Sequence, residues 1–127
     1  GLKCSFDLEV TTEMMTMFKT ITGDVNPLHM DETFAVDYGY QDKVVYGMLV
    51  SSFYSTLIGV HLPGKFALFQ SADISFVSPV FIGDKLSVTG EVTFVHSVYK
   101  QIEIKAIIIN QKGKKVSRAK LKTGIHE

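Results

Sequence analysis

Hydrophobic and polar residues alternate along much of this chain. Period-two repeats occupy residues 2–10, 66–76, 86–94, 102–108 and 116–125. Such alternation predicts strands that bury one face, so the chain should begin with one strand and end with four more. Glycine-containing turns at residues 82–84 and around Gly113 fit between these strands. The pattern therefore predicts an antiparallel sheet joined largely by short turns.

A different pattern between residues 11 and 40 predicts two short helices. Thr11 or Thr12 can cap the first helix, and Gly23 suits the left-handed residue that ends it. Four residues at helical spacing would form its apolar face: Met14, Met17, Phe18 and Ile21. We interpret the methionines as core residues, because flexible thioethers fill irregular gaps. Asp31 can cap the second helix, and Gly39 can end it.

Residues 44–64 contain no Asp, Glu, Lys or Arg. The helical part should cover about residues 47–59, which is shorter than the roughly 20 apolar residues of a membrane span. A helix with almost no polar face must be covered on several sides. We therefore expect a buried helix wrapped by a curved antiparallel sheet, which is an α+β hotdog fold formed by residues 1–127 as a single domain. Edge-to-edge pairing of two copies would remove exposed strand edges.

Composition narrows the class of protein. The chain has 127 residues, of which 46% are hydrophobic, too many for a disordered segment. Its formal net charge is zero, so nothing global favours nucleic acid or an acidic membrane surface as a partner. The single cysteine, Cys4, cannot form an internal disulfide, and the first ten residues lack the apolar run of a signal peptide. We therefore expect a cytoplasmic protein.

Candidate chemistry lies in the loop between the two short helices. Asp24 and His29 flank an Asn26-Pro27 turn, and Gly47 begins the uncharged helix. An acid/base pair among turn residues is typical of a loop that carries out proton transfer. The structural alternative is an ordinary turn with a hydrogen-bonded histidine. The other histidines lack neighbours at metal-ligand spacing, so the sequence predicts no metal site.

The same region carries motifs of a known family. The motifs are residues 22–31 (TGDVNPLHMD), 34–35 (FA), 45–49 (VYGML), 62–64 (LPG), 74–76 (ISF) with Pro79, and 81–84 (FIGD). They resemble the MaoC-like hotdog dehydratases, and within that group they are most similar to the single-domain (R)-specific enoyl-CoA hydratases. The similarity extends along most of the chain.

The resemblance implies a homodimer with active sites at the dimer interface. It also implies reversible addition of water to trans-2-enoyl thioesters, which gives (R)-3-hydroxyacyl thioesters. The family's acid/base pair falls on Asp24 and His29, and its oxyanion donor falls on the Gly47 N–H. The predicted substrate-binding residues are Ser55, Asn26 and Tyr46; in the family, the serine that matches Ser55 supports the region of the catalytic aspartate.

This reaction makes two demands that such residues meet. Water loses a proton as it attacks Cβ while Cα gains one, and a histidine and a carboxylate that hold one water can make both transfers. Negative charge builds on the thioester oxygen, and an N–H at a helix N-terminus can stabilise it. No metal or redox cofactor is needed. The sequence leaves open which of the two side chains takes the proton from water.

Two other functions stay open at this point. Hotdog thioesterases often place a carboxylate on or near the central helix, but no Asp or Glu lies between Asp42 and Asp73. A non-catalytic acyl-thioester binding module is the other alternative, because Tyr46 stands where the family usually has histidine. A basic run near the C-terminus predicts either a solvated strand face or contacts with the phosphates of coenzyme A or of an acyl carrier protein. That run comprises Lys112, Lys114, Lys115, Arg118, Lys120 and Lys122.

Overall fold

The computed structural model describes residues 1–126. The strands are β1 (Lys3–Glu9), β2 (Ala67–Phe76), β3 (Lys85–His96), β4 (Gln101–Ile109) and β5 (Lys115–Ile125). The α-helices are α1 (Thr12–Thr22), α2 (Pro27–Met30), α3 (Glu32–Asp37) and α4 (Gly47–Thr56). All strand pairs are antiparallel, and the order across the sheet is β1-β3-β4-β5-β2.

The sheet curves around the central helix, as the sequence predicts. A π-helical segment, Leu57–His61, continues α4 and contacts β1 and β2, which are the two opposite edges of the sheet. Both edges can reach one helix only if the sheet bends around it. The predicted hotdog fold is therefore confirmed. The helical run extends two residues past the predicted end at Gly59.

Close packing joins the helix to the middle of the sheet. Leu57 and Ile58 are buried, and a methyl group added to Gly90 of β3 would lie 2.8 Å from Leu57 Cδ2. Gly90 therefore lets the helix approach the sheet more closely than any larger residue would. No helix within residues 1–126 has the length and apolar character needed to cross a membrane.

The apolar face of β2 differs from the predicted one. On β2 the sequence predicts an unbroken alternation, but the register with β5 shifts between Phe69 and Ser71. The extra residue of this bulge changes which side chains face inward, so Ala67 and Ile74 both pack against the core although they are seven residues apart. Alternation alone cannot reveal such a shift.

The buried face of α1 is also narrower than predicted. Met14, Met15 and Phe18 pack against the core, and Met15 is the buried residue of this helix. Met17 and Ile21 are exposed in the chain taken alone. The predicted caps are correct, because the Met14 N–H donates to Thr11 Oγ1 (3.2 Å) and Gly23 has a left-handed φ of 71°.

Candidate active site

The segment after α1 fixes the backbone and carboxylate of Asp24. The Asp24 N–H donates to Thr22 Oγ1 (3.1 Å), and the Asn26 N–H donates to Asp24 Oδ1 (3.0 Å). The second contact is an Asx-type turn, in which a carboxylate bonds the backbone two residues ahead. Because Oδ1 is held in this way, Oδ2 is the oxygen left to face other groups.

His29 is positioned by a one-turn helix, α2, in a segment whose sequence predicts a loop. Asn26 caps α2, since its Oδ1 accepts from the Leu28 N–H (3.0 Å), and Pro27 occupies the first helical position, where its fixed φ fits. The His29 N–H donates to the Asn26 carbonyl (3.0 Å). The side-chain oxygen of Asn26, predicted to bind substrate, is thus engaged in this cap.

The backbone before α4 orients the His29 ring. His29 Nδ1 lies 2.7 Å from the Val44 carbonyl oxygen, which can only accept. The proton of the neutral imidazole is therefore assigned to Nδ1, and Nε2 keeps a lone pair for an incoming donor. The Val44 N–H in turn donates to the Leu28 carbonyl (3.0 Å), so the two segments are held by reciprocal bonds.

Tyr46 contacts both Asp24 and His29. Its side chain is buried, with 2% of its surface exposed, and its O–H donates to the Asp24 carbonyl (2.7 Å). Its ring centroid lies 4.3 Å from that of His29 and 4.8 Å from that of Phe18. Burial, and then the negative charge of Asp24, raise the pKa of Tyr46 above its ordinary value. The phenol therefore remains a hydrogen-bond donor at neutral pH.

Gly47, the first residue of α4, presents its N–H at the helix N-terminus. The first N–H groups of an α-helix have no acceptor within the helix, and the helix dipole makes this end favourable for negative charge. A methyl group at this position would lie 3.0 Å from Cδ1 and Cε1 of Phe76, at the end of β2. Glycine is therefore what allows the Phe76 ring to pack against the start of the helix.

One cavity of about 560 Å³ brings these groups together. It is lined by Phe18, Thr22, Asp24, His29, Tyr46, Gly47, Met48 and Phe76. A second cavity of about 290 Å³ has valines as half of its lining residues and shares His29, Gly47 and Phe76 with the first. Asp24, His29 and the first residue of α4 thus border one space, next to an apolar space of a size suited to a hydrocarbon group.

The structure separates the other predicted residues from this cavity. Ser55 is exposed on α4 and lines neither cavity, and Asn26 also lies outside both linings. Arg118, Lys120 and Lys122 are exposed on β5, on the sheet face away from the core, and they line neither cavity. Of the three predicted substrate-binding residues, Tyr46 alone borders the cavity.

Two residues that shape this site, Val44 and Phe76, were not predicted as site residues from the sequence. Val44 acts through its backbone carbonyl, which no side-chain pattern reveals. Phe76 belongs to the ISF motif of residues 74–76, yet only the fold shows its ring against Gly47. Within residues 1–126, no group of three or more His, Cys, Asp or Glu side chains is placed to hold a metal ion.

The chain is similar to several characterised proteins. It is 41% identical to the (R)-specific enoyl-CoA hydratase of Aeromonas caviae over 93 residues, which cover 73% of this chain and 69% of that protein. It is 34% identical to the 3-hydroxybutyryl-CoA dehydratase of Methylorubrum extorquens over 72% of this chain and 59% of that protein. The matched segments thus span about three fifths to two thirds of these relatives.

Solved structures show that this similarity extends along the whole chain. The (R)-hydratase of A. caviae involved in PHA biosynthesis superposes with a TM-score of 0.93 and 28% identity, covering 99% of this chain and 96% of that one. The unliganded R-hydratase of Pseudomonas aeruginosa gives 0.92 and 26%, covering 100% and 81%. The family described as the MaoC like domain matches residues 2–115. This chain therefore belongs to the MaoC-like domain family.

Proposed function

We propose that this protein is a hydro-lyase that adds water reversibly to trans-2-enoyl thioesters and gives (R)-3-hydroxyacyl thioesters. The observation that carries the proposal is the shared cavity, in which Asp24, His29 and the first residue of α4, Gly47, border one space. The relatives support it, since they include a protein named (R)-specific enoyl-CoA hydratase and one named 3-hydroxybutyryl-CoA dehydratase.

The orientation of His29 suits it to activate water. With Nδ1 donating to the Val44 carbonyl, Nε2 is the ring atom that accepts a hydrogen from a water in the cavity. The Asp24 Oδ2 atom can hold the same water, because Oδ1 is engaged by the Asn26 N–H. The water oxygen bonds to Cβ as its proton passes to the acid/base pair, and the pair supplies a proton to Cα. The pair thus returns to its starting protonation.

The N-terminus of α4 can stabilise the negative charge that develops on the thioester oxygen. As Cβ is attacked, the π electrons move toward the thioester carbonyl, whose oxygen becomes enolate-like. The Gly47 N–H has no intrahelical acceptor and lines the same cavity, so it can donate to this oxygen. Removing a donor of this kind typically raises a barrier by about 3 kcal/mol.

The proposal includes a homodimer that forms through the β2 edge of the sheet. β2 is an edge strand of the sheet, and a row of apolar side chains is exposed on it or just beyond its ends: Phe66, Leu68, Phe69, Phe76 and Val77. Edge pairing between two copies would cover this row and satisfy the free backbone groups. Because Phe76 also borders the cavity, a homodimer formed in this way would place the second copy beside the active site.

Kinetics with crotonyl-CoA and longer enoyl-CoA thioesters test the activity, followed by the loss of enoyl absorbance. We expect Asp24→Asn and His29→Ala each to lower kcat by about 100- to 10,000-fold, the usual contribution of an acid/base group. His126→Ala, at an exposed histidine far along the chain from the loop, is the control and should retain the wild-type rate. Unchanged rates in the two loop variants would refute the proposal.

The same substrates separate the alternatives. Release of free thiol from a saturated acyl-CoA would indicate a thioesterase, although no residue of α4 is a carboxylate. Binding of acyl-CoA without turnover at any chain length would indicate a binding module. Comparing an enoyl-CoA with the same acyl group on an acyl carrier protein identifies the carrier.

Analytical ultracentrifugation measures the mass of the protein in solution and so tests the predicted dimer. Wild-type protein should have twice the mass of the chain, and Leu68→Lys, which places a charge on the edge strand, should shift it toward monomer. Phe94→Lys is a matched control, because Phe94 is similarly exposed but lies on β3, three strands away from the β2 edge. A wild-type protein that is monomeric at micromolar concentration would contradict the dimer.

A further inference from the structure

One side chain contacts both members of the proposed acid/base pair. The Tyr46 O–H donates to the Asp24 carbonyl at 2.7 Å, and the Tyr46 ring lies against the His29 ring at 4.3 Å between centroids. Asp24 and His29 lie on separate turns, one after α1 and one within α2, so their relative placement is not set by either element alone. Tyr46 links the two.

The bond to Asp24 differs from the other bonds that hold this residue. Thr22 and Asn26, its sequence neighbours, supply the recorded partners of its N–H and carboxylate. Among the contacts recorded within residues 1–126, the Tyr46 bond is the one that fixes Asp24 from a distant part of the chain, 22 residues away. It ties an exposed turn to a buried side chain beside the N-terminus of α4.

The same contacts show how Tyr46 can act. Its hydroxyl donates to a protein carbonyl, and its surface is covered except for 2%. Tyr46 was predicted to bind substrate. A group that is buried and hydrogen-bonded in this way is more suited to fixing its neighbours. Because a buried tyrosine has only two side-chain torsions, its ring and hydroxyl hold both contacts at little entropic cost.

We infer that Tyr46 is a positioning residue, which fixes the Asp24 turn through its hydroxyl and the His29 imidazole through its ring. This inference rests on the proposed hydratase activity of the same site. It predicts that loss of the hydroxyl alone loosens Asp24 while His29 keeps its neighbour. A positioned acid/base pair matters in the transition state more than in substrate binding, so kcat should fall while KM is largely retained.

A matched pair of substitutions tests the inference. Tyr46→Phe and Tyr54→Phe each remove one hydroxyl from a buried tyrosine, and the Tyr54 hydroxyl bonds Ser117 Oγ (2.8 Å) away from both cavities. We expect Tyr46→Phe to lower kcat for crotonyl-CoA at least tenfold with KM within twofold of wild type. Tyr54→Phe should keep the wild-type kcat although it also loses a buried hydrogen bond.

A double substitution shows whether Tyr46 acts through Asp24. In an Asp24→Asn background, adding Tyr46→Phe should change the residual kcat by less than twofold, because the group being positioned is already lost. An equal loss of kcat in both backgrounds, or a wild-type kcat in Tyr46→Phe, would overturn the inference. A wild-type protein with no hydratase activity would instead refute the proposed function.

Thermal melting separates positioning from folding. Tyr46→Phe and Tyr54→Phe should both give a cooperative transition, so a selective kcat loss in the first cannot be ascribed to unfolding. Tyr46→Leu, which keeps an apolar side chain and loses the hydroxyl, gives the same comparison if Tyr46→Phe does not fold. Its kcat should also fall with KM retained, and a wild-type kcat there would contradict the inference.

Discussion

Replacing Gly47 with alanine tests the start of α4 most directly. The new methyl would lie 3.0 Å from two atoms of the Phe76 ring, whereas ordinary contacts begin at about 3.4 Å, so the ring must move by roughly 0.4 Å. Phe76 is 58% exposed and can give way, while the helix backbone is held by the packing of α4. We therefore expect the ring to shift and the fold to remain.

The expected loss of activity follows from this geometry. A 1 Å misplacement in an active site can cost about 100-fold in rate even when it starts at a residue that does not react, so a shift of about 0.4 Å in the cavity wall corresponds to roughly sixfold, or about 1 kcal/mol of barrier. The methyl also stands beside the N–H on the surface of the cavity. We expect kcat/KM for crotonyl-CoA to fall by about five- to tenfold. Outright loss of the donor would cost about 3 kcal/mol, so a larger fall would indicate that the helix itself has moved.

Gly59→Ala is the matched control for this change. A methyl at Gly59 meets no atom within 4 Å, and the residue is exposed in the π-helical segment. We expect Gly59→Ala to keep the wild-type kcat/KM and to gain about 0.4–1 kcal/mol of stability through the unfolded chain. Initial rates of enoyl absorbance loss and thermal melting monitored by circular dichroism measure both quantities.

Two outcomes would refute the reasoning about Gly47. A folded Gly47→Ala protein with unchanged kcat/KM would show that the space beside this N–H is not used in the reaction. The Phe76→Ala background provides the second test, since without the ring the methyl has no partner to displace. If Gly47→Ala costs the same there, the collision with Phe76 is not the cause of the loss.

Two further predictions concern stability. Gly90→Ala should lower the free energy of unfolding by about 1–3 kcal/mol, because the methyl would overlap the buried Leu57 side chain at 2.8 Å. That is a fall in melting temperature of roughly 4–12 °C, and an unchanged value would contradict the close packing. Burial raises the pKa of Tyr54 to about 12, against the lowering effect of its Ser117 hydrogen bond. The unfolded phenol ionises first, near pH 10, so this contribution is complete below pH 10 and is lost up to about pH 12. Denaturant titrations should show wild type losing stability over this range faster than Tyr54→Phe, and parallel pH profiles would exclude the effect.

Local chemistry made much of this fold predictable. Thr11, Asp31 and Gly23 act at helix ends through bonds or backbone conformations that depend on a few neighbouring residues, and each occurs where the sequence predicts it. Period-two alternation placed the inward face of β4 and of the first part of β3 correctly, since Leu86 and Ile104 face the core, whereas a bulge between Val92 and Phe94 leaves Phe94 exposed. The lack of charge in residues 44–64 identified the central helix, because such a segment must be enclosed by the rest of the protein.

Features that depend on long-range register were not predictable in the same way. The bulge between Phe69 and Ser71 changes the buried face of β2, and its sequence resembles that of a regular strand. The short helix α2 has four residues and depends on the Asn26 cap, so its period is too brief to recognise. In both cases the competing conformations have nearly the same local pattern, and packing against the rest of the chain decides between them.

The candidate active site depends both on local sequence motifs and on contacts between distant segments, and Tyr46 is an example of the second. Asp24 and His29, the proposed acid/base pair, were singled out by the motif that surrounds them, because their side chains and spacing alone also fit an ordinary turn. Their contacts come from residues 44–47, where the Val44 carbonyl bonds His29, the Tyr46 hydroxyl bonds Asp24, and Gly47 begins α4. Every residue has a backbone carbonyl, so the sequence does not show which one bonds His29. A tyrosine beside a glycine is likewise compatible with many different contacts. The sequence can therefore specify the reacting groups of such a site, while the geometry that makes them act together is visible only once distant segments are folded against each other.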